Sequence, residues 1–297
     1  MANWDGKSQS GLLGYKIFVL LLRYGGLWPA YILLVFVSLH FSLFSINSSK
    51  HIYTYFRNRL GLNSLKSLAF LYQNYFVFGQ TLVDRVAVIS GFSKKFTYDF
   101  DGEEYLHQIV AENKGGILIS AHIGNWEIAG HLLYRINAKI HVVMHVAEHE
   151  KIKLYLDKVK GGNSMNIIVL KDDFSHVYEI SMALSRGEII CMHGDRFMPW
   201  SKTLNTDFLG KEARFPEGPF ALAVSMKVPV SYVFAMKSTF THYKFSATKP
   251  IIYTATKTIT KSNLVFQALQ EFKAEMEKKI YHYPSQWFNY YDFWSKT

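Results

Sequence analysis

The sequence predicts an α/β sandwich preceded by an apolar helical segment. Three observations carry that prediction. Short β-rich runs alternate with helical ones from about residue 97 onward. Residues 50–96 show apolar positions at three- and four-residue spacing. Before both lies a stretch, Trp28–Ile46, with no Asp, Glu, Lys or Arg over 19 residues.

The apolar stretch comes first in the chain. WPAYILLVFVSLHFSLFSI is close to the ~20 residues a membrane-crossing helix needs. Ile17–Leu22 is apolar as well, and Gly25, Gly26 and Pro29 break the chain between the two pieces. A cleaved signal peptide is disfavoured by the length and by the lack of a small-x-small cleavage site. The expectation is a retained anchor over 1–49, spanning or half-embedded, and a catalytic domain over 50–297. Lys50, Arg57, Arg59 and Lys66 after the stretch outnumber Lys16 and Arg23 before it. That bias favours a cytoplasmic catalytic domain.

The expected strands are GGILISA (115–121), KIHVVMHV (139–146), MNIIVL (165–170), EIICMH (188–193) and PVSYVFAM (229–236). Helical patterns fill 125–137, 147–160, 175–186 and 216–226. HYKFSATKPIIYT, after Thr241, reads as a hairpin-style strand pair, and 261–281 as a final helix charged on one face. Most of the Phe and Tyr residues are expected in the core. Trp28, Tyr31 and the Trp287–Trp294 cluster are expected at a membrane interface.

Composition narrows the function. The 297 residues carry a net charge of +10 and are 49% hydrophobic. A basic surface draws anions, but the Lys and Arg residues are scattered and no nucleic-acid motif is present. Membrane lipids and an acidic carrier protein therefore rank above nucleic acid. A single cysteine, Cys191, excludes an intramolecular disulfide and any multi-cysteine metal site.

The motif that carries chemistry is ISAHIGNWEIAG (119–130). In open α/β sheets ligands collect at the carboxyl ends of strands, which is where His122 falls. Gly124 permits a tight turn, and Asn125 can cap the helix that follows. Two helical residues five apart lie about 140° apart. A histidine in the turn and Glu127 in the first helical turn can meet. The carboxylate would then hold one ring nitrogen and leave the other to act as a base. The nucleophile would be supplied by the substrate, such as a hydroxyl.

This block resembles the HX4(D/E) motif of the lysophospholipid acyltransferase superfamily, and more closely that of the bacterial lipid A late acyltransferases. The likeness continues through FDGEEYL (100–106), CMHGDR (191–196), ARFPEGPFALA (213–223) and PSQWFNYYDFW (284–294). It implies the αβα sandwich of the glycerolipid acyltransferases, with His122 as general base on the acceptor hydroxyl and Glu127 as its orienting partner. The substrate contacts it implies are Asn125, Asp195, Arg196, Glu217 and Lys160. Asp195 either shapes the pocket, pairs with Arg196 or forms a structural salt bridge. FPEG (215–218) either contacts a phosphate-bearing acceptor or starts a helix with Pro216 in its first turn. The donor implied is an acyl thioester, acyl-ACP or acyl-CoA, and the acceptor a membrane lipid. The resemblance implies no metal and no bound cofactor. It places the protein at the bacterial inner membrane with its catalytic domain facing the cytoplasm.

Two departures bear on the acceptor. YLDKVKGGNSMNIIVLKDD (155–173) has no arginine where the lipid A enzymes carry a functional one. Lys158 or Lys160 would supply a point charge without the bidentate fork. Tyr290, Tyr291 and Asp292 stand where basic residues usually follow Gln-Trp. Both weaken the case for a phosphorylated lipid A acceptor and keep an aminolipid, a polyketide-like or aryl-polyene lipid, or a differently phosphorylated lipid A open. Two other readings stand beside acyl transfer: a hydrolase using the same pair on water, and a non-catalytic membrane scaffold. No G-x-S-x-G elbow is present to support a serine hydrolase.

Overall fold

The structure is a computed structural model that describes residues 12–128, 133–145 and 165–294. It is an α/β fold with a seven-stranded, mainly parallel sheet flanked by helices. Four helices come first: α1 (Leu12–Gly25), α2 (Leu27–Phe44), α3 (Ile46–Thr54) and α4 (Ser64–Ala87). Asn63 caps α4, its side chain accepting from Lys66 N at 2.9 Å. Then follow β1 (Thr97–Asp101), α5 (Glu103–Ala111), β2 (Gly116–Ser120), β3 (Ile140–Met144), β4 (Met165–Val169) and α6 (Ser175–Ser185). The chain continues through β5 (Ile189–His193), β6 (Thr203–Phe208), β7 (Lys211–Pro216), α7 (Gly218–Met226), β8 (Val230–Lys237), β9 (His242–Ala247) and α8 (Lys261–His282).

The sheet order is β1-β9-β8-β2-β5-β3-β4. The five strands from β8 to β4 run parallel, and β9 reverses against β8, with β1 parallel to β9. β2 lies at the centre of the seven-stranded sheet, and its first four residues are buried. That burial is why GILI reads as an unbroken apolar run. Ile117 and Ile119 join the large core with Phe220 of α7 and Phe272 of α8. Leu118 points the other way, into a smaller cluster with Ile109 of α5. Side chains of period two thus feed two helical layers, the physical basis of a sandwich.

Several expectations change. The hairpin lies between β8 and β9, not within 242–254; beyond β9, Ile251 makes an isolated bridge to Val230. The antiparallel pair β6–β7 and the short elements β1 and α5 were not apparent from the sequence, because TYDFD and TLNTDF carry too few apolar residues to show a period. Pro216 ends β7, and it is Pro219 that sits in the first turn of α7. The helix expected over 147–160 lies outside the described residues.

α2 has two faces. Leu27, Ala30, Tyr31, Leu34 and Ser38 are buried, and Leu34 packs so closely on α4 that a Cβ at Gly79 would lie 2.3 Å from its Cδ1. Trp28, Ile32, Phe36, Leu39 and Leu43 point outward and are exposed. Trp28 thus lies at the surface. Tyr31 does not: its ring is buried and its hydroxyl bonds to Asp84. Trp287, Phe293 and Trp294 are buried too, packed around Phe208 at centroid distances of 5.6, 5.5 and 6.2 Å. They form core, not an interfacial belt. Aromatic content alone does not separate the two environments.

Candidate active site

The site forms where β2 and β5 end side by side. Their register pairs Ser120 with His193. Beyond the strands the same 73-residue offset sets Asp195 opposite His122. Gly194 N donates to Ser120 O at 2.8 Å and keeps the two exits in step. Asp195 Oδ1 lies 2.8 Å from His122 Nδ1, and Oδ2 accepts from His122 N at 2.9 Å. One carboxylate therefore fixes both the ring and the backbone of the histidine.

Asp195 is 1% exposed. Burial alone would raise its pKa. The charge of His122, its hydrogen bond, and the nearby Arg196 and His193 outweigh that and hold the carboxyl well below the usual carboxylate range. An ionised carboxylate only accepts, so Nδ1 carries a hydrogen, and in the neutral form of the ring Nε2 then holds the lone pair. His193 packs against the His122 ring at 4.3 Å between centroids and meets the edge of Trp126 at 4.9 Å.

The turn between His122 and the next helix is bound on every side. Gly124 has φ +64°, and a Cβ there would fall 2.1 Å from Ala235 O, so only glycine fits. Asn125 N donates to Ala235 O at 2.8 Å. The C-terminal Gln-Trp segment closes the other edge: Gly124 N donates to Gln286 O at 2.9 Å, and Phe288 N to His122 O at 3.0 Å. The Gln286 side chain pairs with both backbone groups of Lys237 in β8. Asn74 of α4 donates to Ser285 O and Trp287 O, 3.0 Å each. The C-terminal segment thus works as a clamp on the histidine turn.

The expected site residues fall into three groups. His122 and Asp195 come together. Arg196 lies beside them and donates to Phe288 O at 2.9 Å. Glu127 forms an ion pair with Arg85 of α4 at 2.5 Å; the carboxylate on His122 Nδ1 is that of Asp195, 68 positions further on than the sequence reading looked. Asn125 turns inward: it is 2% exposed, its amide donates to Thr81 O and to Tyr243 Oη, and its Oδ1 caps Ile128 N at 3.2 Å. These bonds hold the turn. Glu217 stands at the start of α7, with its N–H on Lys202 O. Lys160 lies outside the described residues.

Arg85 is a neighbour the sequence did not single out. Among the described residues, His122, His193 and Asp195 form the one group whose donor atoms, within 4.8 Å of one another, are of types a transition-metal ion takes. Two of those residues already hold each other through the Nδ1–Oδ1 bond.

A half-buried histidine, its ring held by a carboxylate at the end of a parallel strand, is an arrangement capable of acid–base chemistry. The chain belongs to the family of bacterial lipid A biosynthesis acyltransferases, whose model matches residues 69–295. The matched span includes the histidine turn, Asp195 and the C-terminal clamp. The chain is also 24% identical over 124 residues to a phosphatidylinositol mannoside acyltransferase of Mycobacterium tuberculosis. That match covers 41% of this chain and 39% of the relative.

Proposed function

We propose that the protein transfers a fatty acyl chain from an acyl thioester, acyl-ACP or acyl-CoA, to a hydroxyl of a membrane lipid. His122 is the general base and Asp195 its orienting partner. The observation that carries this reading is the pair of hydrogen bonds that Asp195 accepts from the ring and backbone of His122. Nε2 takes the proton of the acceptor hydroxyl as its oxygen attacks the thioester carbonyl. Collapse of the tetrahedral intermediate breaks the C–S bond, and the thiolate recovers the proton from the imidazolium. Asp195 stabilises that imidazolium. Glu127, by this reading, secures the first turn of the helix to α4 through Arg85 and does not orient the ring.

The outward stripe of α2 supports membrane attachment. α2 is long and apolar enough to cross a bilayer. Its other face is packed on α4, which favours a helix lying in one leaflet with Trp28, Ile32, Phe36, Leu39 and Leu43 in the acyl region. The net charge of +10 suits anionic headgroups and an acidic carrier protein alike. The family and the flanking charges favour the cytoplasmic face of a bacterial inner membrane.

The test is thiol release from an acyl thioester by the purified full chain, with and without extracted bacterial lipid. Acyl transfer predicts release that depends on lipid, with the acyl chain recovered on a lipid of higher mass. Release at the same rate without lipid would establish the hydrolase instead. Equal function of the His122→Ala variant would leave only the scaffold.

A further inference from the structure

A second set of buried polar groups lies between α2 and the histidine turn. Asp84 of α4 is 0% exposed and Lys237 of β8 is 5% exposed. Lys237 Nζ donates to Asp84 Oδ2, to Phe240 O at 2.6 Å and to Tyr31 Oη at 3.2 Å. Tyr31 of α2 donates to Asp84 Oδ1, and Tyr243 of β9 donates to Oδ2. Tyr243 Oη in turn accepts from Asn125 Nδ2 at 3.1 Å. A continuous hydrogen-bond path therefore runs from α2 through Asp84 and Tyr243 to the turn that carries His122.

The groups are matched. The three lysine protons are shared among four acceptors, the fourth being Tyr243 Oη at 3.4 Å, and each tyrosine hydroxyl has one carboxylate oxygen. A buried ion pair is poor evidence for stability, since apolar residues of similar volume often do as well. What such a pair does supply is direction: each bond fixes one element against another. Here they fix α2, α4, β8, β9 and the turn at one point. Apolar packing runs in parallel. Ile128, in the first helical turn after Asn125, shares a cluster with Leu27, Ala30 and Tyr31 of α2 and with Val83 and Ala87 of α4. Phe240, at the β8–β9 turn, packs on Trp28 of α2 at 5.4 Å.

We propose that Tyr31, Asp84, Lys237 and Tyr243 are positioning residues that tie the seating of α2 to the placement of the His122 turn. The lipid-facing helix is then a working part of the site and not a detachable anchor. The kinetic arm of the test rests on the acyl-transfer reading; the exchange arm does not.

Tyr31→Phe removes one hydroxyl and keeps the ring. Tyr72→Phe is the control, because the Tyr72 hydroxyl also joins α4 to α2, at Val35 O (3.2 Å), but outside this path. The full chain would be studied in detergent–phospholipid micelles by hydrogen exchange of the peptide 119–128. Tyr31→Phe is expected to speed its exchange by about threefold or more, while Tyr72→Phe leaves it unchanged. With a thioester and extracted lipid, kcat is expected to fall about tenfold with KM within about twofold, since small misplacement of a base costs rate more than binding. Asp84→Asn/Lys237→Met, which keeps the site neutral, is expected to give the same pattern. Faster exchange confined to α2 and the β8–β9 turn, with 119–128 unmoved, would overturn the proposal. So would equal effects of Tyr31→Phe and Tyr72→Phe. A wild-type chain without transfer activity would refute the proposed function, and the exchange result would still decide this one.

Discussion

Replacing Asp195 by Asn tests the base more sharply than removing it. The carboxylate accepts two hydrogen bonds from one residue, at 2.8 and 2.9 Å. An amide of the same shape has one oxygen and one NH2. If the NH2 faces Nδ1, it donates to the ring and drives the ring proton onto Nε2, the atom that must receive the substrate's proton. If it faces the backbone N–H, two donors oppose each other. The first arrangement is cheaper and leaves a folded protein with the wrong tautomer. In hydrolytic triads that change lowers kcat by about 10⁴, or about 5.5 kcal/mol at 1.36 kcal/mol per decade. We expect a loss of that order here, with KM within about twofold. Stability should fall only by about 1.5–3 kcal/mol, the worth of a hydrogen bond to a charged group. The assay is thiol release from a saturating acyl thioester in the presence of lipid, with Tm measured alongside. A kcat within tenfold of wild type in a folded protein would refute the assignment of Asp195.

Other outcomes follow from the same geometry. Gly124→Ala should cost more than about 3 kcal/mol and yield little folded protein, because φ +64° and a contact of 2.1 Å with Ala235 O combine; thermal unfolding of the purified variant checks this. Glu127→Gln and Arg85→Met should each lower stability, and the double variant by less than their sum, with a coupling of about 1 kcal/mol for this half-buried pair at 2.5 Å; chemical denaturation of the four proteins gives the cycle. Ile32→Glu with Phe36→Glu should release the protein from anionic vesicles in a flotation assay, since both residues are on the outward face of α2. Glu188 is held down to about 2, first by its hydrogen bond with Arg186, then by Lys139 and His141 against the cost of burial. A lowered carboxyl pKa stabilises the fold above its ordinary value and loses that contribution as pH falls toward 2. Glu188→Gln should thus lower Tm at pH 6, and the gap to wild type should close between about pH 4.5 and 2.

The sequence made much of this legible, but unevenly. The parallel core strands could be found because burial on both faces leaves runs such as ILI in β2. α2 was visible for the opposite reason, an apolar stretch without a charge. Its two-sidedness was not, since an all-apolar helix has no pattern to show which face meets protein. The histidine could be placed at a strand end from local signals: an apolar run, a glycine, an asparagine. Its partner could not. Asp195 reaches His122 only because β2 and β5 are neighbours in register, and adjacency of strands so far apart in the chain leaves no local mark. The nearest carboxylate in sequence, Glu127, was the natural guess, but α4 brings Arg85 to it. Asn125 was legible as the helix cap, which the bond from Ile128 N to its Oδ1 bears out, but the direction of its amide was not. A cap and a pocket residue look alike in sequence, and only Thr81 and Tyr243, supplied by distant elements, decide which way its amide turns. The buried Asp84–Lys237 pair was invisible, because isolated charges in otherwise ordinary segments read as surface.

The most direct test of the central claim is lipid mass spectrometry on host cells from which the gene has been deleted, complemented by wild type, His122→Ala or Asp195→Asn. The account predicts that one lipid lacks a single acyl chain in the deletion and regains it with wild type alone. Restoration by either variant, or no lipid of altered mass in the deletion, would contradict it.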